Sequence, residues 1–287
     1  MVALLSELDP AGRATVAIDY GQDILGRGSL ELIDGLRGRS GQARVMSGER
    51  IVWKVRMIKT PFEAALKRQS FAIVDEAFDA SIAATRAGVS ERELQRALQA
   101  RVILGGAERA DPIAMVFGRG DFVYSRMPSD RRLAEGDYLW TDFRSTFGGY
   151  AADRNRIARC GKPASWEVDC YAAVREVTIE LCRSIRPGQT GRDIYRIFEC
   201  LWQNAGLGQV YGAVSRIGHG GGLEVTEPPS IAPWSEEIIE PGMILHLEPK
   251  LERDGAVFQF EEIVHVSETG VEFLSALSPP TCPIVPT

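Results

Sequence analysis

The sequence predicts an α+β fold in which a helix pair followed by β-sheet occurs twice, with the functional site between the two halves. Two observations lead to this prediction: a motif that repeats within the chain, and strand-like patterns that dominate after Gly206. Residues 86–94 (RAGVSEREL) match residues 186–194 (RPGQTGRDI) at a constant offset of 100 residues. Each copy has a helix, a glycine stop and a second helix with a capping residue. Capped helix pairs can look alike by chance, but an internal duplication better explains the shared register.

The N-terminal residues 1–55 differ from the rest of the chain. They contain one short strand pattern at 15–19, one short helix pattern at 29–36 and a loop-like stretch at 38–48. Because this is too little to form an independent core, we expect an appendage or the remnant of a larger N-terminal domain. The main domain is then predicted to span residues 56–287.

The remaining elements follow from hydrophobic periodicity and from turn residues. An amphipathic helix is predicted from Phe62 to Arg86, and a second helix begins at the Ser90 capping box. A hairpin with a Gly148-Gly149 turn joins the next two strands. The predicted strands are residues 137–143, 150–158, 209–217, 243–251, 257–266 and 271–274, and residues 279–287 are predicted to be irregular.

Composition excludes several classes of function. The chain has 287 residues and a net charge of −6, with 45% hydrophobic and 25% charged residues. Its pI near 5.3 argues against nucleic acid or an anionic membrane as a partner. No apolar run approaches the ~18 residues of a membrane span, and no signal peptide pattern is present at the N-terminus. Five scattered cysteines without a CxxC pair fit reduced thiols, so we predict a cytoplasmic protein.

Four acidic residues on predicted strands, together with one histidine, form the candidate site. Asp142 and Asp153 lie on the two arms of the hairpin, and Glu248 and Glu261 lie in apolar surroundings. His219 lies in the most glycine-rich stretch of the chain, where the backbone can approach a ligand closely. Each residue alone is explained by an ordinary structural role. Together they can hold two divalent ions, because buried carboxylates need a positive partner and one cation satisfies several of them.

These residues and their surroundings resemble the pita-bread metallopeptidase superfamily of methionine aminopeptidase, aminopeptidase P, prolidase and creatinase. The resemblance covers about residues 50–277 and opens at residues 57–63 (MIKTPFE), similar to the Ile-Lys-Ser-Pro-Glu-Glu that opens the family's domain. The other motifs that carry it are Gly136-Asp137, Asp142 with Asp153, Gly218-His219-Gly220, Glu227-Pro228, Pro241-Gly242-Met243, Glu248-Pro249 and Glu261-Glu262.

The resemblance implies a pita-bread fold, which is itself a pseudo-twofold duplication, with a truncated N-terminal appendage. It also implies a dinuclear metal site of Mn, Co, Fe or Zn ions whose ligands are Asp142, Asp153, His219, Glu248 and Glu261. Asp153 and Glu261 would bridge both ions, Asp142 would bind one, and His219 and Glu248 would complete the other. A homodimer is implied as well.

Two auxiliary histidines of the peptidase members are missing from this chain. Thr226 stands where the second of them usually follows the metal-ligand histidine, and Ser125 stands where another usually precedes the first aspartate. We take Thr226, Glu227 and Arg126 as the candidate catalytic residues, with Arg126 positioned to bind a substrate carboxylate. The two other histidines of the chain, His246 and His265, are expected to be structural.

The leading hypothesis is a dinuclear metal-dependent hydrolase that cleaves a C–N bond in a small peptide or amide, similar to an Xaa-Pro peptidase. One alternative is a lyase that uses the same metal site on a non-peptide substrate. Another is a catalytically silent module that binds a peptide. Neither nucleic acid nor membrane is expected as a partner in any of these.

Overall fold

The computed structural model describes residues 2–11, 13–18, 30–38, 44–110, 114–124, 126–210 and 215–287. The chain divides into two units, Met1–Arg56 and Met57–Thr287. This division falls close to the predicted boundary between residues 55 and 56. Whether the first unit is the remnant of a larger domain stays a prediction.

The first unit is small and contains one pair of strands. Its elements are α1 (Val2–Leu8), β1 (Thr15–Ile18), α2 (Leu30–Arg37), β2 (Arg44–Ser47) and α3 (Glu49–Met57). The strand predicted at 15–19 is present over 15–18, whereas Asp19 and Ser29 lie outside the described residues. The prediction of a continuous loop at 38–48 was wrong, because residues 44–47 pair in parallel with β1 and thereby satisfy their backbone groups.

The second unit contains the repeated helix pairs. Its helices are α4 (Pro61–Ala84), α5 (Glu91–Leu104), α6 (Ser165–Ser184) and α7 (Gly191–Asn204). The helices α5 and α7 each have 14 residues and begin 100 positions apart. Ser90 caps α5 and Thr190 caps α7, each with a reciprocal capping box. The predicted duplication of the helix pair is therefore confirmed.

Two five-stranded sheets and one hairpin complete this unit. The first sheet has the order β14-β6-β5-β3 with β4 also paired to β5, the second has the order β13-β12-β9-β7-β8, and β10 pairs with β11. The strands are β3 (Arg109–Ala110), β4 (Ala114–Gly118), β5 (Tyr138–Phe147), β6 (Tyr150–Cys160), β7 (Gly218–Gly220), β8 (Glu227–Ile231), β9 (Ile244–Leu247), β10 (Lys250–Arg253), β11 (Ala256–Gln259), β12 (Glu262–Val266), β13 (Val271–Phe273) and β14 (Ile284–Val285).

Each helix pair has its own buried apolar cluster. Phe71 and Leu98 lie in the cluster of α4 and α5, and Val174 and Phe198 lie in that of α6 and α7. The mixture of helix and sheet confirms the predicted α+β class. Among the described residues no helix is both long enough and apolar enough to cross a membrane.

Two strands that the sequence predicts as continuous are interrupted at a glutamate. The predicted strand 243–251 is split between β9 and β10 by Glu248 and Pro249, and the predicted strand 257–266 is split between β11 and β12 by Phe260 and Glu261. Pro249 has no backbone N–H, so it cannot continue the ladder. Because β9 pairs with β12 while β10 pairs with β11, both glutamates lie where the chain leaves one sheet and enters the hairpin.

Two other strand predictions were also wrong. Residues 209, 210 and 215–217 are not in a strand, residues 211–214 lie outside the described part, and β7 begins only at Gly218. The backbone meets the sheet there through the Ile217 N–H, which donates to the Ile231 carbonyl at 2.9 Å. The C-terminal segment is not wholly irregular, because β14 pairs in parallel with β6 and buries Val285.

Candidate metal centre

The β5–β6 hairpin presents two of the predicted ligands on one face. In its register Asp142 lies opposite Asn155, and Arg144 lies opposite Asp153. Side chains alternate along a strand, so all four of these residues share one face of the sheet. The hairpin therefore brings Asp142 and Asp153 to the same face, and Arg144 accompanies them.

Arg144 contacts both aspartates. Its Nη2 lies 3.6 Å from Asp142 Oδ2, and its Nε lies 3.4 Å from Asp153 Oδ1. Sequence reasoning overlooked this residue. Its position two residues after Asp142 was the available signal, since residues i and i+2 of a strand share a face.

His219 is held by a backbone that only glycine permits. A Cβ on Gly218 would lie 2.2 Å from the His246 carbonyl oxygen, and one on Gly220 would lie 2.2 Å from that of Pro228. The His219 Nδ1 bonds the Gly220 carbonyl oxygen at 2.8 Å. Its other nitrogen, Nε2, then carries the lone pair.

The free nitrogen of His219 faces two carboxylates. Its Nε2 lies 3.6 Å from Asp153 Oδ2 and 3.6 Å from Glu248 Oε1. Burial lowers the pKa of His219 to about 3, and the charge of Arg216 adds to this effect. The imidazole is therefore neutral near pH 7, which is the form that binds a metal.

Glu261 is oriented by two donors. The backbone N–H of Asn155 donates to Oε2 at 2.6 Å, and His246 Nδ1 lies 2.6 Å from Oε1. Burial, followed by the charge of Lys67, lowers the pKa of His246 well below its usual range, so the neutral ring donates from Nδ1. Such a hydrogen bond fixes the carboxylate for ligation.

Four buried residues converge into a group that can hold a metal ion. Asp153, His219, His246 and Glu261 each offer one ligand atom, and these atoms lie within 4.8 Å of one another. His246 is thus placed in the group although the sequence favoured a structural role for it. Its ring stacks on that of His219 with centroids 5.0 Å apart. Among the described residues its Nε2 has no hydrogen-bond partner.

Three carboxylates of this centre have raised pKa values. Burial, and then the charge of Asp142, raise the pKa of Asp153 well above its usual range. Burial and the charge of Asp153 do the same for Glu261, and burial with Asp142 raises the pKa of Glu248 to about 7. A buried set of oxygen and imidazole donors with these properties fits a divalent ion.

Two buried lysines also lie near the centre. Lys67 Nζ donates to the Ala151 carbonyl oxygen at 2.5 Å, and Lys250 Nζ lies 3.4 Å from the centroid of the Tyr124 ring. Burial lowers the pKa of each lysine to about 8, although nearby carboxylates oppose this effect. The sequence signal for Lys67 was its place on the apolar face of α4, four residues before Phe71.

Arg126, predicted to bind substrate, is paired with Glu91. Its Nη1 lies 2.5 Å from Glu91 Oε2, and its Nη2 lies 2.5 Å from Glu91 Oε1. Glu91 also accepts from the backbone N–H groups of Phe117 and Ser129. These contacts indicate that Arg126 holds the loop of residues 126–129 against Glu91 at the start of α5. Ser125, the other residue singled out here, lies outside the described residues.

The two remaining candidate residues differ in environment. Glu227 is buried and forms an ion pair with Lys59 at 2.8 Å, and its Oε1 accepts from the Glu224 backbone N–H. Through the Glu224 N–H it therefore holds the chain that directly follows the glycine-rich stretch. Thr226 is exposed and directly precedes β8.

Arg154, which follows Asp153 on β6, is an arginine that could also bind a substrate, but its side chain is fully buried. Its Nε lies 2.8 Å from Asp75 Oδ1, and its Nη1 donates to the backbone carbonyl of Glu261 at 2.7 Å. These contacts support the backbone that carries Glu261, which leaves the guanidinium without access to a substrate.

Comparison with known proteins identifies related sequences. A family model described as metallopeptidase family M24 matches residues 65–268. The chain is 25% identical to an Xaa-Pro dipeptidase of Pyrococcus furiosus over 250 residues, which cover 86% of this chain and 71% of that protein. It is 28% identical to an uncharacterised peptidase of Bacillus subtilis over 225 residues, covering 76% of this chain but only 62% of that protein.

Solved structures share the fold at lower sequence identity. An X-Pro aminopeptidase from Thermotoga maritima matches with a TM-score of 0.86 and 24% identity, covering 99% of this chain and 78% of that one. The prolidase from Pyrococcus furiosus matches with a TM-score of 0.81 and 23% identity, covering 96% and 80%. The expectation of a pita-bread fold is thereby confirmed.

Proposed function

Because the chain belongs to metallopeptidase family M24, we propose that it hydrolyses a C–N bond in a small peptide or amide with two divalent ions. As a member of this family it is a metallohydrolase. The substrate class is suggested by the similar proteins, which are named Xaa-Pro dipeptidase and prolidase.

One observation carries this proposal. Asp153, His219, His246 and Glu261 lie buried within 4.8 Å of one another as measured between their ligand atoms. Burying two carboxylates together is costly unless a cation binds both of them. A role in metal-dependent hydrolysis would explain why the chain buries these carboxylates together despite the free-energy cost.

We assign the ions to Asp142, Asp153, His219, Glu248 and Glu261. Divalent ions in such a site supply a Lewis acid for a carbonyl and make water a nucleophile near neutral pH. The chain's own residues hold this arrangement: His246 and the Asn155 N–H orient Glu261, and the Gly220 carbonyl fixes the tautomer of His219.

The residues around the centre take different parts in the proposal. Thr226 is the proposed hydrogen-bond donor to the substrate, since its hydroxyl is exposed and cannot titrate near neutral pH. Glu227 supports the glycine-rich stretch through Lys59, and Arg126 supports the loop that Glu91 holds. Manganese, a cytoplasmic location and a homodimer stay predictions.

Metal content and turnover measured on the same preparations test the proposal. Protein purified without chelator is analysed for bound metal, loaded with Mn²⁺, Co²⁺, Fe²⁺ or Zn²⁺, and assayed on Xaa-Pro dipeptides and simple amides. We expect metal binding and release of the free amine, both lost in Glu261→Gln and kept in Glu268→Gln, a control outside the centre.

Other outcomes would overturn it. Metal binding with turnover only of non-peptide substrates by elimination would favour a lyase. A protein that binds a peptide but no metal under any condition would be a binding module.

A further inference from the structure

Arg144 gives the centre a cation of its own. Its guanidinium lies 3.6 Å from Asp142 Oδ2 and 3.4 Å from Asp153 Oδ1. An arginine side chain does not lose its charge in a protein, so this cation is permanent. The chain therefore presents a positive group to two carboxylates that the proposed function gives to a metal ion.

The two oxygens of Asp153 divide the centre into two sides. Oδ1 faces Arg144, whereas Oδ2 lies 3.6 Å from His219 Nε2. We call the first the arginine side, made of Asp142 Oδ2 and Asp153 Oδ1. We call the second the histidine side, made of Asp153 Oδ2, His219 Nε2 and Glu248 Oε1.

The two sides offer a divalent ion different partners. On the histidine side the Gly220 carbonyl accepts from His219 Nδ1, so Nε2 is left to face the two carboxylates and ligand atoms are directly available. On the arginine side a guanidinium already contacts the oxygens that an ion needs: Asp153 Oδ1 accepts a hydrogen bond from it, and Asp142 Oδ2 forms an ion pair with it. Two positive charges a few ångströms apart also repel each other.

We infer that Arg144 competes with one of the two ions, so that the centre fills unequally. The histidine side takes the first ion tightly, and the arginine side takes a second only when Arg144 turns away. The side chain of Arg144 is 42% exposed, so it can turn toward solvent without disturbing the hairpin. This inference rests on the proposed function, because it presupposes that the centre binds metal.

Titration of the chelator-treated protein with Mn²⁺ tests the inference. Calorimetry gives the affinity of each site, elemental analysis gives the number of ions retained after dialysis, and electron paramagnetic resonance distinguishes isolated ions from coupled pairs. We expect the wild-type protein to retain one ion with an isolated-ion spectrum and to bind the second at least ~10-fold more weakly.

The matched variant is Arg144→Met, which keeps an unbranched apolar stem and removes the charged guanidinium. We expect its second site to tighten by ~10-fold or more and its spectrum at saturation to show a coupled pair. Arg144→Lys retains a cation and is expected to stay close to wild type. Arg132→Met removes an exposed arginine elsewhere and should change neither site.

The outcomes separate this inference from the proposed function. Two ions of equal affinity in both the wild type and Arg144→Met would overturn the inference and leave the proposed function standing. No ion in either protein would overturn both. Loss of all metal from a folded Arg144→Met, as judged by circular dichroism, would also contradict competition. If that variant does not fold, Arg144→Gln gives the same test.

Discussion

The arginine side of the centre lies wholly on the β5–β6 hairpin, whereas the histidine side joins Asp153 of that hairpin to residues of later strands, and the two sides balance their charges differently. The β5–β6 hairpin supplies Asp142, Asp153 and the positive Arg144. The later strands supply neutral His219 and the two glutamates that interrupt strands. The hairpin therefore supplies carboxylates together with a positive side chain, whereas the later strands supply a neutral imidazole whose lone pair is available to a metal ion. The number of acidic residues alone does not determine how many ions such a site holds.

The largest effect is expected from Asp153, the one residue that faces both sides. Asp153→Asn should weaken binding of both ions by ~100-fold or more, since it removes the negative charge that both sides share and replaces one oxygen with an amide nitrogen that cannot bind a metal. Asp142→Asn is the matched control on the arginine side and should leave the first ion unchanged. Calorimetry with Mn²⁺ measures both variants. Equal losses of the first ion in the two variants would mean that the centre is not divided.

Lys67 is a buried cation that, unlike Arg144, can lose its charge, so its effect on the free energy of unfolding depends on pH. Burial lowers its pKa from 10.5 to about 8, so between these pH values the folded chain binds fewer protons than the unfolded chain. The cost of the buried charge is then full below about pH 8 and fades as the pH rises toward 10.5. A shift of this size corresponds to about 3 kcal/mol.

The difference in stability between Lys67→Met and wild type should therefore move by about 3 kcal/mol in favour of wild type as the pH rises from 7 to above 10.5. Urea unfolding of chelator-treated protein at several pH values measures it, with the exposed Lys162→Met as the control. A difference that is constant with pH would show that the pKa of Lys67 is not lowered in the folded protein.

His246 contacts the proposed metal ligand Glu261 through a hydrogen bond. His246→Phe removes the hydrogen bond to Glu261 but keeps a ring that can stack on His219, so the first ion should bind ~10- to 100-fold more weakly. His265→Phe changes a half-buried histidine of β12 and should leave metal affinity unchanged. Equal affinities in the two variants would return His246 to the structural role that the sequence favoured.

The smallest effect is expected at Thr226. Thr226→Val removes the hydroxyl from an exposed side chain, so kcat/KM should fall about 2- to 10-fold, as for one hydrogen bond, while the Tm stays unchanged. Thr226→Ser keeps the hydroxyl and should retain wild-type turnover. Turnover of Thr226→Val equal to that of Thr226→Ser would remove this residue from the proposed mechanism.

Local signals in the sequence were enough to predict much of the fold. The Ser90 and Thr190 capping boxes fix the starts of α5 and α7, and their spacing predicts the duplication. The Gly148-Gly149 turn sets the register that brings Asp142 and Asp153 to one face. These signals act over a few residues, so no tertiary contact is needed to interpret them.

Features that depend on distant contacts were not predicted. The apolar residues around Glu261 suggest one strand, whereas the break at this residue comes from β11 pairing with β10 while β12 pairs with β9. Arg126 was assigned to a substrate because its partner Glu91 lies 35 positions away in the sequence. His246 was missed for the same reason, since its contact with Glu261 forms only when β9 and β12 pair.

Anomalous diffraction from crystals soaked in Mn²⁺ would locate the ions of this centre without reference to activity. We predict a strong peak within ligand distance of Asp153 Oδ2 and His219 Nε2, and a weaker peak beside Asp142 that grows in Arg144→Met. A fully loaded crystal with no peak among these side chains would contradict the assignment of a metal centre to this chain.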